Sequence, residues 1–179
     1  MLATAAVIAA GLAAWTANRR IDKQLTHDRK MRDLDEMRGV IDEANGAVTE
    51  SISAILHLRS RTPVIGYEQE KGETIEGFLA DEEAVRIRRE AAEDAHDKTF
   101  AVAPEHGRLR LRFGADHPVP QSYMANRDGL VTLIQAVDVL PENWTEETSQ
   151  IVEGHLGRSG QLNAEFIERC RELVRVFDR

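Results

Sequence analysis

Arg108-Leu109-Arg110-Leu111-Arg112-Phe113-Gly114 is the stretch on which the fold class turns. Its strict alternation of apolar and charged residues has the period of a β-strand. A strand needs a partner, and only residues 64–67 offer one. Read as a helix, the same residues follow Pro104, which ends or kinks the helix before it, and Gly114 supplies a left-handed cap. That reading leaves no strand unpaired. It predicts an all-α chain.

Working outward, a helix from about Thr74 to Val102 places Val85, Ala92, Ala95 and Thr99 inward. Asp116-His117-Pro118-Val119-Pro120 reads as a turn. A third helix over 121–140 turns Tyr123, Leu130, Leu133, Val137 and Leu140 inward, and Pro141 stops it. Thr145 caps a short helix beginning with Glu146 and Glu147. Gly154, Gly157 and Gly160 then predict an interruption. A last helix over 159–177 buries Leu162, Phe166, Cys170, Leu173 and Phe177.

On the amino-terminal side, residues 18–61 contain no proline. Leu34, Met37, Ile41, Ala44, Val48, Ile52 and Ile55 recur at steps of mostly three and four, the seam of a helix packed on other helices. The same seam raises the expectation of a homo-oligomer. Pro63, Gly66 and Gly72 make 62–72 a loop. The sum is an antiparallel bundle of about four helices.

Residues 1–17 carry no side-chain charge, and Arg19 and Arg20 follow almost at once. At about 1.5 Å per residue, the run reaches roughly 25 Å, against a hydrocarbon core of roughly 30 Å. Arginine can snorkel and the bilayer can thin. Trp15 stands one turn before the arginines, where interfacial aromatics belong. A cleaved secretion signal would carry its positive charge before the apolar stretch. The run therefore predicts a transmembrane anchor over 1–18 that continues into the long helix. Basic residues on one side only put the amino terminus outside and the remainder in the cytoplasm of a cell inner membrane. Ala6, Ala10, Ala13 and Ala17 form a small-residue face suited to helix pairing. A buried helix in a soluble bundle is the alternative, because the run is short and rich in alanine.

Charge sharpens this picture. Arg19, Arg20, Lys23, Arg29, Lys30 and Arg32 against Asp22 and Asp28 give residues 19–32 a balance of +4. Residues 68–97 hold eleven acids and four bases, a balance of -7. A basic block beside an apolar run suits anionic lipid headgroups, with Trp15, Arg19, Arg20 and Lys23 at the interface. Residues 19–33 then read as a basic helical stalk and 34–179 as the cytoplasmic bundle. The chain is acidic overall, at -8, and no aromatics interleave the basic block, which argues against nucleic acid. Lysine occurs four times and arginine nineteen, a bias expected of a high-GC bacterial genome. The single cysteine, Cys170, permits no internal disulfide and reads as a small helix residue.

Catalytic signatures are few. Glu93-Asp-Ala-His96 places a carboxylate and an imidazole at i and i+3, half of a di-iron carboxylate motif, and no second Glu-x-x-His exists. Glycine-rich phosphate loops, the nucleophile elbow and paired-cysteine motifs are absent from the sequence. Arg108, Arg110, Arg112, Asp116, His117 and Tyr123 form the most distinctive polar cluster. Arg112, Asp116, His117 and Tyr123 suit an anionic ligand or acidic partner. The alternative reading pairs Arg112 with Asp116, lets His117 satisfy a helix carbonyl and packs Tyr123. No cofactor is implied.

The order of anchor, Asn18-Arg-Arg-Ile-Asp22, Met37-Arg-Gly-Val-Ile-Asp-Glu-Ala44 and Arg112-Phe-Gly-Ala-Asp-His-Pro118 resembles a class of uncharacterised bacterial single-pass membrane proteins with a cytoplasmic helical domain. The resemblance implies an anchor and carries no catalytic residues with it. The function expected is a membrane-anchored interaction, scaffold or regulatory module with an unknown protein partner. A soluble bundle is the first alternative. A ligand- or metal-binding helical enzyme using Glu93 and His96 or residues 112–123 is the second.

Overall fold

The computed structural model describes the backbone of residues 2–62, 74–139 and 144–177, and the side chains of 19–62, 74–139 and 144–176. The described residues are helical: α1 (Leu2–Ser60), α2 (Ile75–Ala80), α3 (Glu82–Phe113), α4 (Pro118–Val137) and α5 (Glu146–Phe177). No strand occurs among them. The chain divides into two units, Met1–Gly39 and Val40–Arg179.

In the first unit, residues 19–33 of α1 are exposed, including Ile21, Leu25 and Met31. Among the described residues no helix is long and apolar enough to cross a membrane, so the fold does not support the expected transmembrane helix. The uncharged run is short, and Thr4, Gly11 and Thr16 dilute an already alanine-rich composition. The side chains of Trp15 and of the Ala6, Ala10, Ala13 and Ala17 face lie outside the described residues, as do the expected loop from Pro63, the region of Leu140 and Pro141, and the side chain of Phe177.

The second unit is a four-helix bundle whose neighbours all run antiparallel. Paired contacts fix the directions. Between α1 and α3, Lys98 Nζ donates to Glu50 at 2.8 Å, Arg108 pairs with Glu43, and Arg88 Nε donates to Thr62 Oγ1 at 3.2 Å. Between α3 and α4, His96 meets Asp138 while the Tyr123 hydroxyl donates to the Val102 carbonyl. Between α4 and α5, Tyr123 meets Phe166 edge-on at 5.0 Å and Asn126 donates to Asn163. Arg59 of α1 closes the ring on Glu153 of α5. In the first three pairs the residue numbers rise on one helix as they fall on the other, and the alternation makes α5 antiparallel to α1 as well.

Helical spacing explains the core. Ala44, Val48, Ile55 and Leu58 of α1 face Ala91, Ala95, Val102 and Leu109 of α3, with Tyr123, Leu130, Leu133, Ile134 and Val137 of α4 and Val152, Phe166 and Cys170 of α5. Ser51 and Thr99 meet within this core at 2.9 Å. Thr99 gives its proton to the Ala95 carbonyl, so Ser51 is the donor and both hydroxyls are satisfied.

The decisive stretch is helical. Leu109 is fully buried while Leu111 is 91% exposed. A strand would put these two on one face, whereas a helix sets them roughly 200° apart. The helix passes through Pro104 without ending. A proline inside a helix costs about 3 kcal/mol, and the core contacts before and after it offset this. Gly114 caps α3 at φ 91°, the only positive φ among the described residues, with an extended ψ rather than the left-handed helical value.

Three expected boundaries move. The helix expected over 74–102 is two helices, because the Asp81 carboxylate accepts from Glu83 N and Ala84 N and starts α3 afresh. Helix α4 begins at Pro118 rather than 121, since proline suits a first helical turn and the His117 side chain caps it. Gly154, Gly157 and Gly160 do not interrupt α5. All three are exposed, and a Cβ at each would meet nothing within 4 Å. Each glycine costs about 1 kcal/mol against alanine, while Val152, Ser159, Leu162, Phe166 and Cys170 hold one buried face across them. Thr145 does cap the helix, its hydroxyl accepting from Thr148 N at 3.1 Å.

Candidate functional site

An open cleft of about 740 Å³ lies where α2 covers the first turns of α3, closed on one side by the end of α4. Phe78, Leu79, Val85 and Ala92 form its apolar wall. Arg88, Arg89, Glu93, His96, Asp97 and Asp138 supply its polar groups.

Local sequence explains the placement. The Thr74 hydroxyl accepts from Gly77 N at 3.0 Å and starts α2, and Asp81 turns the chain into α3. Phe78 and Leu79 are thereby laid along the outer side of α3. Arg88 occupies a position that belongs, by its three- and four-residue spacing to Ala91, Ala95 and Thr99, to the inner face of α3. A guanidinium there must be satisfied. Its Nε donates to Thr62 Oγ1 at 3.2 Å and its Nη2 to the Val139 carbonyl at 2.7 Å. Asp138 completes the network, 3.5 Å from Arg88 by one oxygen and 3.0 Å from His96 Nε2 by the other. Asp138 therefore joins a buried cation to a half-exposed imidazole at the cleft floor. The His96 ring also stacks on Phe100 at 6.3 Å.

Glu93 and His96 both line this cleft. The imidazole is turned to Asp138, and no group of three or more His, Cys, Asp or Glu suited to a metal ion occurs among the described residues. Arg88 and Asp138 were missed at the sequence level. The legible signal was a charged residue at an inward helical position; Asp138 had none, because its role depends on where α4 ends.

Arg112, Asp116, His117 and Tyr123 differ in burial. Tyr123 is fully buried. Its hydroxyl is aimed at the Ala44 and Val102 carbonyls, each at 3.3 Å, and burial pushes the phenol well above its usual range. His117 accepts from Val119 N at 3.2 Å through Nδ1 and stacks on Phe113 at 5.4 Å. It serves a helix N–H rather than the carbonyl expected. Asp116 is exposed in the turn, and Arg112 is half-buried near the end of α3. His106 stacks on Tyr123, and burial, then Arg127 and Arg110, push its pKa down. Cys170 is buried, and burial, then the Asp42 carboxylate, push its thiol up to about 12. It is a core residue without nucleophilic character. Of the interface candidates, Arg19, Arg20 and Lys23 are exposed on α1.

No known family, no curated protein and no solved structure matches the chain.

Proposed function

We propose that the chain is a helical interaction module, without a catalytic role, tethered to a bilayer by the start of α1. The observation that carries this is the order of charge along α1: none from Leu2 to Asn18, +4 over 19–32, then the apolar seam of the bundle. On this reading residues 1–18 lie in the bilayer of a cell inner membrane with the amino terminus outside. Arg19, Arg20 and Lys23 meet anionic headgroups, and the cytoplasmic bundle binds a protein partner. Purified full-length chain mixed with vesicles of mixed zwitterionic and anionic phospholipid should float with them and stay bound in high salt. Ile8→Arg should abolish flotation. A chain that never floats removes the tether. A carboxyl-terminal reporter active outside the cytoplasm overturns the sidedness.

The cleft favours a second reading, a bundle that holds a small ligand with an apolar body against Phe78, Leu79 and Val85. Native mass spectrometry of the purified chain should then show a bound species that Val85→Arg removes, and apoprotein alone in both samples disposes of a tightly held ligand.

A further inference from the structure

The outer face of α3 is covered along its first turns and bare beyond them. Helix α2 lies over the stretch with Val85, Arg89 and Ala92. Past His96, the same face continues as Phe100, Ala103, Pro104, Gly107 and Leu111, all exposed and none charged. Phe100 is 69% and Leu111 91% exposed. Single exposed apolar residues are ordinary, but an uncharged stripe at helical spacing over three turns is not. This chain is 30% charged.

The charges beside the stripe say what covers it. One edge carries Glu93 and Asp97, four apart, before the stripe, and Arg108 and Arg112, four apart, along its second half. Asp97 and Arg108 are eleven residues, or about three turns, apart, so both pairs lie along the same edge. A surface acidic at one end and basic at the other matches its own copy when the copy runs antiparallel, and repels it when parallel. We propose that a second copy of the chain docks antiparallel on this face of α3, about a two-fold axis near Val102. Asp97 of each copy then faces Arg108 of the other. Phe100 of each lands on the step of Ala103, Pro104 and Gly107, where small residues leave room for the ring. Arg108 currently pairs with Glu43 and Glu105, but all of these contacts except the Glu105 carboxylate are well exposed. Such pairs are worth little and exchange readily. A single helix pair is a small interface, so the dimer is expected to be weak.

The proposal stands apart from the membrane tether, since it uses only the bundle. Full-length chain in detergent, examined by sedimentation equilibrium across a concentration series, should pass from monomer to dimer. Phe100→Asp, and independently Leu111→Asp, should weaken the dimer by about a hundredfold. Both sites are exposed, so the melting midpoint should not move; if either variant fails to fold, the other carries the reading. Asp97→Arg should weaken the dimer, and adding Arg108→Glu should restore it. Ala103→Cys lies beside the two-fold and should form a disulfide-linked dimer under mild oxidant, whereas Arg169→Cys should not. A chain that stays monomeric throughout overturns the proposal. So does a dimer that both Asp variants leave intact, which would place the association elsewhere, for example along the start of α1.

Discussion

Residues 19–33 and 40–60 belong to one helix, α1, and are held helical by different forces. Over 40–60, Ala44, Val48, Ile55 and Leu58 are buried at steps of four, seven and three, and tertiary packing supplies the stability. Over 19–33 every residue is exposed, and the helix rests on arginine, lysine, leucine and methionine as helix formers. The same secondary structure thus hides two chemistries, a core strip and a charged rod. Substitutions should separate them sharply.

The largest effect is expected from Phe166→Ala, which empties the site against Tyr123 at the bundle centre. It should cost about 4 kcal/mol by denaturant unfolding, whereas Leu25→Ala in the exposed stretch should stay within about 0.5 kcal/mol. Equal losses would mean that the exposed stretch carries part of the fold. Next comes Asp138→Ala, which strips a buried guanidinium of its carboxylate and frees His96. A loss of about 2 kcal/mol is expected, and a neutral result would show that Arg88 is satisfied without this carboxylate.

Alkaline pH probes the core through Cys170 and Tyr123. The Cys170 thiol is raised to about 12 in the fold from its ordinary value of 9.0, so the unfolded chain loses this proton first. Its contribution is complete below about pH 9 and is lost as pH climbs towards 12, with a slope approaching about 1.4 kcal/mol per pH unit. Tyr123, also raised, adds to the fall above its own unfolded value. Cys170→Ala should flatten the first part of that decline, and an unchanged profile would contradict the burial argument. The smallest effects are gains: Gly154→Ala, Gly157→Ala and Gly160→Ala should each stabilise α5 by about 0.5 to 1 kcal/mol. A loss at any of them would mean that α5 needs its glycine there.

These contrasts also show how far the sequence could be read. The all-α class was legible, because a lone alternating stretch had no strand to pair with. The inward faces of α4 and α5 were legible from spacing. The single break at Asp81 was not, since Asp-Glu-Glu looks like any acidic helical run until its first carboxylate turns back to cap. Glycines in α5 misled because propensity is local and the buried face that overrides it is not. At the cleft, Glu93 and His96 stood out by spacing, while Asp138 came from another helix and was invisible. Tyr123 drew attention as a polar residue near arginines, and burial turned it into a core group.

The direct test of the tether is the partition of the full-length chain in bacterial cells, compared with Ile8→Arg. The account predicts that the native chain sediments with membranes, resists alkaline carbonate and is released by detergent, while the variant moves to the supernatant. Full recovery of the native chain in the supernatant without detergent would contradict it and leave a soluble bundle.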